Sequence, residues 1–132
     1  MDRGSFRRAV EAGDLEGMVG AFAEDAVLHS PITHPPFEGR AVIRVLLGVL
    51  MEVFRDFHYT DELDAGDGTR AMVFRARVAD RDIEGIDILR FHADGRVRDL
   101  TVMVRPRSGL EALLKEVAPR LAAAGARAGS QP

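Results

Sequence analysis

Asp87 is the side chain of this sequence best placed to do chemistry. In the run Ile83-Glu84-Gly85-Ile86-Asp87-Ile88-Leu89-Arg90-Phe91 it shares alternate positions with Ile83, Gly85, Leu89 and Phe91, and it is the one charged member of that set. A carboxyl among branched aliphatics costs stability unless it has a partner or a task. Its orientation can be argued, because a strand alternates its side chains and a one-residue slip sends them all to the other face.

A two-residue turn at Asp80-Arg81 would place Val78 opposite Ile83, Ala76 opposite Gly85, Phe74 opposite Asp87 and Met72 opposite Leu89. The other face then pairs Arg77 with Glu84. A turn at Asp94-Gly95 sets Leu89 opposite Leu100, Asp87 opposite Val102 and, on the far side, Arg90 opposite Asp99. Both hairpins give an apolar face broken only by Asp87 and match charges on the reverse face. An inward Asp87 among Met72, Phe74, Leu89, Leu100 and Val102 loses hydration, so its pKa is expected above the ~3.9 of free aspartate. Two roles remain open for it. Protonated near neutrality, it can donate to a carbonyl oxygen or an enolate-like transition state; bonded internally, it orders the core.

Other polar candidates lie near the middle of the chain. His34, in Ile32-Thr33-His34-Pro35-Pro36, is a candidate general base near pH 7, against the alternative of a solvated loop histidine. Ser30 can hydrogen-bond a ligand or shape its turn, but it lacks a His-Asp arrangement that would make it a nucleophile. Tyr59, the single tyrosine, can supply a phenolic donor if its strand faces inward. His29 is expected to point outward. Arg75, Arg77 and Arg90 read as outer-face pairing residues, and Val73, Ile86, Ile88, Thr101 and Met103 form an apolar patch on that face suited to a homodimer.

The elements that must position these residues follow from periodicity. Helices are predicted over 4–12 and 14–23, the second capped by Asp14, then a short strand over 26–29 and an extended loop forced by Pro31, Pro35 and Pro36. The span 41–54 is apolar almost all round and reads as a central helix. Turn signals then divide four strands near 57–63, 70–79, 82–92 and 96–105. An amphipathic helix from Ser108 carries Leu110, Leu113, Leu114, Val117 and Leu121, with Pro119 expected to kink or end it. Helices followed by an antiparallel meander define an α+β class. The expected organisation is a domain over 1–106, a C-terminal helix over 107–124 and a mobile tail over 125–132.

Composition limits the partners. The chain of 132 residues is 46% hydrophobic with no cysteine and a net charge of −3, which fits one compact domain and excludes disulfides and thiol chemistry. Interspersed charges give no footprint for nucleic acid or an anionic membrane, and the four histidines form no metal-ligand spacing. A cytoplasmic protein with no membrane segment, no metal and no cofactor is expected.

Gly13-Asp14-Leu15-Glu16, Phe22-Ala23-Glu24-Asp25-Ala26-Val27, Phe37-Glu38-Gly39-Arg40 and Gly85-Ile86-Asp87-Ile88-Leu89-Arg90-Phe91, followed by Asp94-Gly95-Arg96-Val97, recur here in a telling order and spacing. The ordered set, over about residues 5 to 105, resembles the NTF2-like superfamily, in particular SnoaL-like proteins and ketosteroid isomerases. The resemblance implies a cone: a curved antiparallel sheet wrapped around N-terminal helices and a central helix, enclosing a deep apolar pocket, with an extra C-terminal helix here and frequent dimerisation through the outer sheet face. In ketosteroid isomerases a pocket Asp in the matching strand stays protonated and, with a tyrosine, stabilises the oxyanion; Asp87 falls on it. The isomerases' proton-shuttling Asp falls at Ser30 and their tyrosine near Phe6, neither of which can do the same work. Limonene epoxide hydrolases, on the same fold, need an Arg where Gly85 stands. The last strand offers only Leu100, Val102 and Val104 inward, where that triad or a polyketide cyclase would want an acid. The expectation is therefore a SnoaL-like enzyme acting on a small apolar carbonyl compound by isomerase-, cyclase- or lyase-like proton transfer. Asp87 and His34 are its catalytic candidates, and Ser30, Met72, Phe74, Leu89, Leu100 and Val102 its ligand-binding ones. The alternatives are a non-catalytic binding module for an apolar ligand and an assembly domain with a vestigial pocket.

Overall fold

The computed structural model describes residues 2–125, and the expected tail over 125–132 lies outside them except for Gly125. Four helices and six strands follow in the order α1 (Ser5–Ala12), α2 (Leu15–Gly20), β1 (Phe22–His29), β2 (Phe37–Glu38), α3 (Arg40–Val53), β3 (Phe54–Asp64), β4 (Arg70–Val78), β5 (Arg81–Phe91), β6 (Val97–Arg105) and α4 (Arg107–Ala124). One curved sheet runs β2-β1-β6-β5-β4-β3. The meander β3 to β6 is antiparallel as expected, but β1 lies parallel to β6, so the sheet is mixed.

The second helix is shorter than its sequence suggests. Asp14 caps it, its carboxylate accepting from the Gly17 N–H at 3.0 Å, but the chain turns into β1 at Phe22. Phe22 is fully buried and meets Phe6 of α1 edge-on, with ring centroids 5.4 Å apart, so tertiary packing overrides the helical period there. Helix α3 buries Ile43, Leu46, Leu47, Val49 and Val53 against the sheet. Helix α4 runs through Pro119, and Leu113, Val117 and Leu121 join the same core as α3 and the strands. Among the described residues no helix is long and apolar enough to cross a membrane.

The β4–β5 register differs from the expected one by two residues. Val78 pairs with Arg81, so the turn is Ala79-Asp80, with Ala79 at a φ of 53°. Faces are unchanged by an even shift, but partners are not: Phe74 lies opposite Gly85, and Met72 opposite Asp87. The physical reason is at Gly85, where a Cβ would sit 2.2 Å from Cζ of Phe74 and 2.7 Å from the carbonyl oxygen of Met103. The phenyl ring occupies the space that any side chain at 85 would need. The same shift replaces the expected Arg77–Glu84 pair by two, Arg75–Glu84 at 3.1 Å and Arg77–Asp82 at 3.2 Å. On the other side, β5–β6 has the anticipated partners Leu89–Leu100, Asp87–Val102 and Arg90–Asp99, but the connection is not the expected two-residue turn. The His92 N–H donates to the Arg96 carbonyl at 2.9 Å, Ala93, Asp94 and Gly95 lie between them, and Gly95 has a φ of 88°. A one-residue register shift between Arg90 and Phe91 restores the expected pairing.

Candidate functional site

Asp87 points inward from the middle of β5 and, among the described residues, is the one charged side chain in the buried set, 6% exposed. It lies at the polar end of a cavity of about 210 Å³. One wall is aromatic, made by Phe54, Phe57, Tyr59 and Phe74, and the other is aliphatic, with Leu28, Leu47, Leu50, Leu100 and Val102 among its members. Gly13 and Met51 also line it and are exposed, which places the mouth between the end of α1 and the end of α3.

The aromatic wall owes its alignment to an irregularity in β3. Phe57 and Tyr59 share a face by alternation, but Phe54 is out of phase with them. The pairing of β3 with β4 shifts between Arg55 and His58, and Asp56 within that stretch adopts a φ of 54°. A bulge of this kind re-aims the chain, and it brings Phe54, Phe57 and Tyr59 to one side. Phe57 stacks on Phe74 at 4.8 Å and presents an edge-on contact to Tyr59 at 5.1 Å. Gly85 thus admits Phe74, Phe74 seats Phe57, and Phe57 fixes the plane of Tyr59.

The consequence is one hydrogen bond, donated by the Tyr59 hydroxyl to Oδ2 of Asp87 at 2.9 Å. Burial raises the Asp87 carboxyl to about 7, and the bond from Tyr59 opposes that rise. Burial likewise drives the phenol above its ordinary value, reinforced by the neighbouring Asp87 carboxylate, so Tyr59 stays a donor throughout the neutral range. The pair can therefore hold or release one proton near pH 7 in a hydrocarbon setting. No other carboxyl or imidazole lines the cavity among the described residues.

The expected site residues divide. Asp87, Phe74, Leu100 and Val102 line the cavity. Met72 and Leu89 face the same way but are packed into the core beside it. His34 is exposed in the loop before β2 and lies off the cavity lining, so the fold does not bring it to Asp87. Ser30 is held locally, its Oγ accepting from the N–H groups of Ile32 at 3.2 Å and Thr33 at 3.3 Å, which is the turn-shaping role. His29 is half-buried off the cavity with Nε2 3.1 Å from Oδ2 of Asp99. Tyr59 is the functional candidate that alternation alone left open; the β3 bulge, which leaves no clear mark in the sequence, decides its direction.

Comparisons agree with this architecture. Residues 3–100 match the model of the SnoaL-like domain. A steroid delta-isomerase from Pseudomonas aeruginosa is 41% identical over 90% of this chain and 88% of its own, with a TM-score of 0.85. An uncharacterized protein with a cystatin-like fold from Silicibacter pomeroyi DSS-3 is 25% identical over 90% and 84% of the two chains, with a TM-score of 0.84. An NTF-2 like protein of unknown function from Burkholderia xenovorans LB400 shares the fold at 17% identity, 80% and 84% coverage and a TM-score of 0.66. The chain therefore belongs to the SnoaL-like family, within the NTF2-like fold.

Proposed function

We propose that this chain binds a small apolar carbonyl compound and moves a proton on it, in the manner of an isomerase. The observation that carries the proposal is the Tyr59–Asp87 pair, a hydrogen-bonded phenol and carboxyl at 2.9 Å and, among the described residues, the only titratable groups facing an otherwise apolar cavity. Likeness to a steroid delta-isomerase at 41% identity supports isomerisation as the reaction class. The cavity of about 210 Å³ suits one or two rings, with a larger ligand extending past Met51.

The chemistry uses one proton carrier. Ionised Asp87 takes a hydrogen from the carbon beside the carbonyl; the C–H electron pair moves into the new C=C bond and the carbonyl oxygen becomes an enolate. The newly neutral carboxyl needs its donor less, so the Tyr59 O–H is released to the enolate oxygen as charge develops there. Asp87 then returns the proton to the same carbon or, in a β,γ-unsaturated ketone, to the γ carbon, which gives the conjugated isomer. A general base with a pKa near the working pH is the efficient choice for both halves of this cycle. His34 has no part in it.

A panel of cyclic β,γ-unsaturated ketones in D2O tests the proposal, with deuterium uptake followed by NMR and conjugation by ultraviolet absorbance. Turnover should rise with pH about a midpoint near 7, fall by a factor of about 10²–10⁴ in Asp87→Asn, and fall less in Tyr59→Phe. Saturable binding without exchange supports a second reading, a binding module, which the lack of a further acid or base in the lining favours. Neither binding nor exchange across the panel would refute both.

A further inference from the structure

Phe57 and Arg7 both contact the Tyr59 ring, and of the two only Phe57 belongs to the cavity wall. The rings of Phe57 and Tyr59 meet edge-on at 5.1 Å, and the guanidinium carbon of Arg7 lies 5.2 Å from the centroid of the Tyr59 ring. Arg7 is anchored in that position by Glu11 of its own helix, Nε to Oε2 at 3.3 Å, and by Glu62 of β3, Nη1 to Oε1 at 3.1 Å. The Arg7 and Glu62 side chains are only 30% and 31% exposed, so the clamp is shielded more than a typical surface pair. Arg7 lies off the cavity lining and so reaches a ligand only through Tyr59.

Resting on the assignment of the Tyr59–Asp87 pair as the proton-transfer centre, we infer that Arg7 is its positioning residue: clamped between Glu11 and Glu62, the cation lies against the phenol ring and keeps its hydroxyl donating to Asp87. A cation over an aromatic face draws on the ring's electrons and makes its O–H a stronger donor. The charged groups that face the phenol are Arg7 and Glu11 from α1, Glu62 from β3 and Asp87 from β5, while β4 presents the uncharged Phe74. Arg7 pulls the phenol's proton affinity down against the larger upward effects of burial and Asp87. The Arg7–Glu62 pair ties α1 to β3 while Glu11 holds the guanidinium from within α1, which fixes the ring's tilt as well as its polarity.

The test is the titration of Asp87 by carboxyl ¹³C NMR in the full chain, beside the pH profile of deuterium exchange, for Arg7→Met, Arg7→Lys and Glu62→Gln. Removing the cation weakens the donor to the carboxylate, so Arg7→Met should raise the Asp87 midpoint by ~0.5 unit or more and move the exchange profile with it. Arg7→Lys should recover most of the shift, and Glu62→Gln should fall between. An unshifted midpoint in Arg7→Met, while Asp87→Asn abolishes exchange, overturns the role of Arg7 alone. If Arg7→Met does not fold, an unshifted Glu62→Gln has the same force. Exchange that survives Asp87→Asn overturns the assignment of the centre itself.

Discussion

Replacing Asp87 by Asn should change how stability depends on pH, in a direction that burial of the carboxyl dictates. In the folded chain the group holds its proton up to about 7, and in the unfolded chain it releases it at its ordinary value of 3.8. The native state therefore binds more protons than the unfolded state between those limits, and stability falls as pH rises through them. The contribution is fully present below about pH 4 and lost above the folded midpoint. A displacement of about three pH units, at ~1.4 kcal/mol each, makes the loss on the order of 4 kcal/mol, a large part of a small domain's total of about 5–15 kcal/mol. Asn keeps the shape and cannot ionise. Its amide also lacks an assured acceptor in the apolar wall, a cost of about 1–3 kcal/mol that does not vary with pH. The readout is therefore the slope and not the offset. Urea unfolding of both proteins between pH 4.5 and 8.5 should show the variant gaining on the parent as pH rises, levelling off beyond pH 8. Parallel curves would show that Asp87 is ionised or hydrated in the folded state, and the reasoning about the site would fail with it.

Three further outcomes follow from the same geometry. Tyr59→Phe removes the donor that opposes the rise of Asp87, so carboxyl NMR should place the midpoint above the parent's value of about 7; a midpoint that falls or stays would contradict the hydrogen bond. Gly85→Ala puts a methyl carbon 2.2 Å from the Phe74 ring and 2.7 Å from a backbone oxygen, and calorimetry should register a loss of about 1–3 kcal/mol, with only partial recovery when Phe74→Leu is added, since the oxygen contact remains. The outer strip Val73, Ile86, Ile88, Thr101 and Met103, with Met103 55% exposed, is expected to be covered by a second copy. Sedimentation velocity should then find a dimer that Ile88→Glu splits, and a parent protein that sediments as a monomer removes this expectation.

How far the sequence carried these conclusions varied with the kind of signal. Asp87 is legible because strand alternation has a period of two and Asp94-Gly95 marks the β5–β6 connection; that connection is three residues long and not two, and the register shift between Arg90 and Phe91 offsets the difference before it reaches Asp87. The β4–β5 turn is not legible, since Asp80-Arg81 and Ala79-Asp80 differ little as turn residues and what decides between them is distant: Phe74 needs a glycine opposite. Tyr59 required knowledge of the bulge at Asp56, where a non-glycine residue takes a positive φ that composition does not announce. His34 shows the opposite case. An imidazole is a natural general base, but only the fold decides whether a proline-rich loop faces the cavity, and here the side chain is exposed and off the lining.

Position 85 shows how one small residue sets what this site can do. An arginine there, two residues before the strand acid, would serve a carboxylate–guanidinium triad, but its Cβ alone would lie within 2.2 Å of Phe74. Glycine gives that volume to the phenyl ring, the ring stacks Phe57 at 4.8 Å, and Phe57 in turn orients Tyr59 toward Asp87. The charged neighbour that an arginine would supply next to Asp87 is replaced by a neutral donor, and the carboxyl is left near 7 instead of being held ionised. A permanently charged acid is suited to activating water; one that gains and loses its proton near neutrality is suited to carrying it between two carbons of one ligand. Gly85→Arg in the background of Phe74→Ala separates these cases, because the alanine removes the ring atoms that a Cβ at 85 would strike and leaves the Met103 oxygen at 2.7 Å to yield. The Asp87 midpoint should then drop well below the parent's, and the exchange profile should move down with it and level off at a lower rate, because the carboxylate remains the active form but is a weaker base. An exchange profile that keeps its midpoint near the parent's while that of Asp87 drops would mean that the proton is carried by some other group.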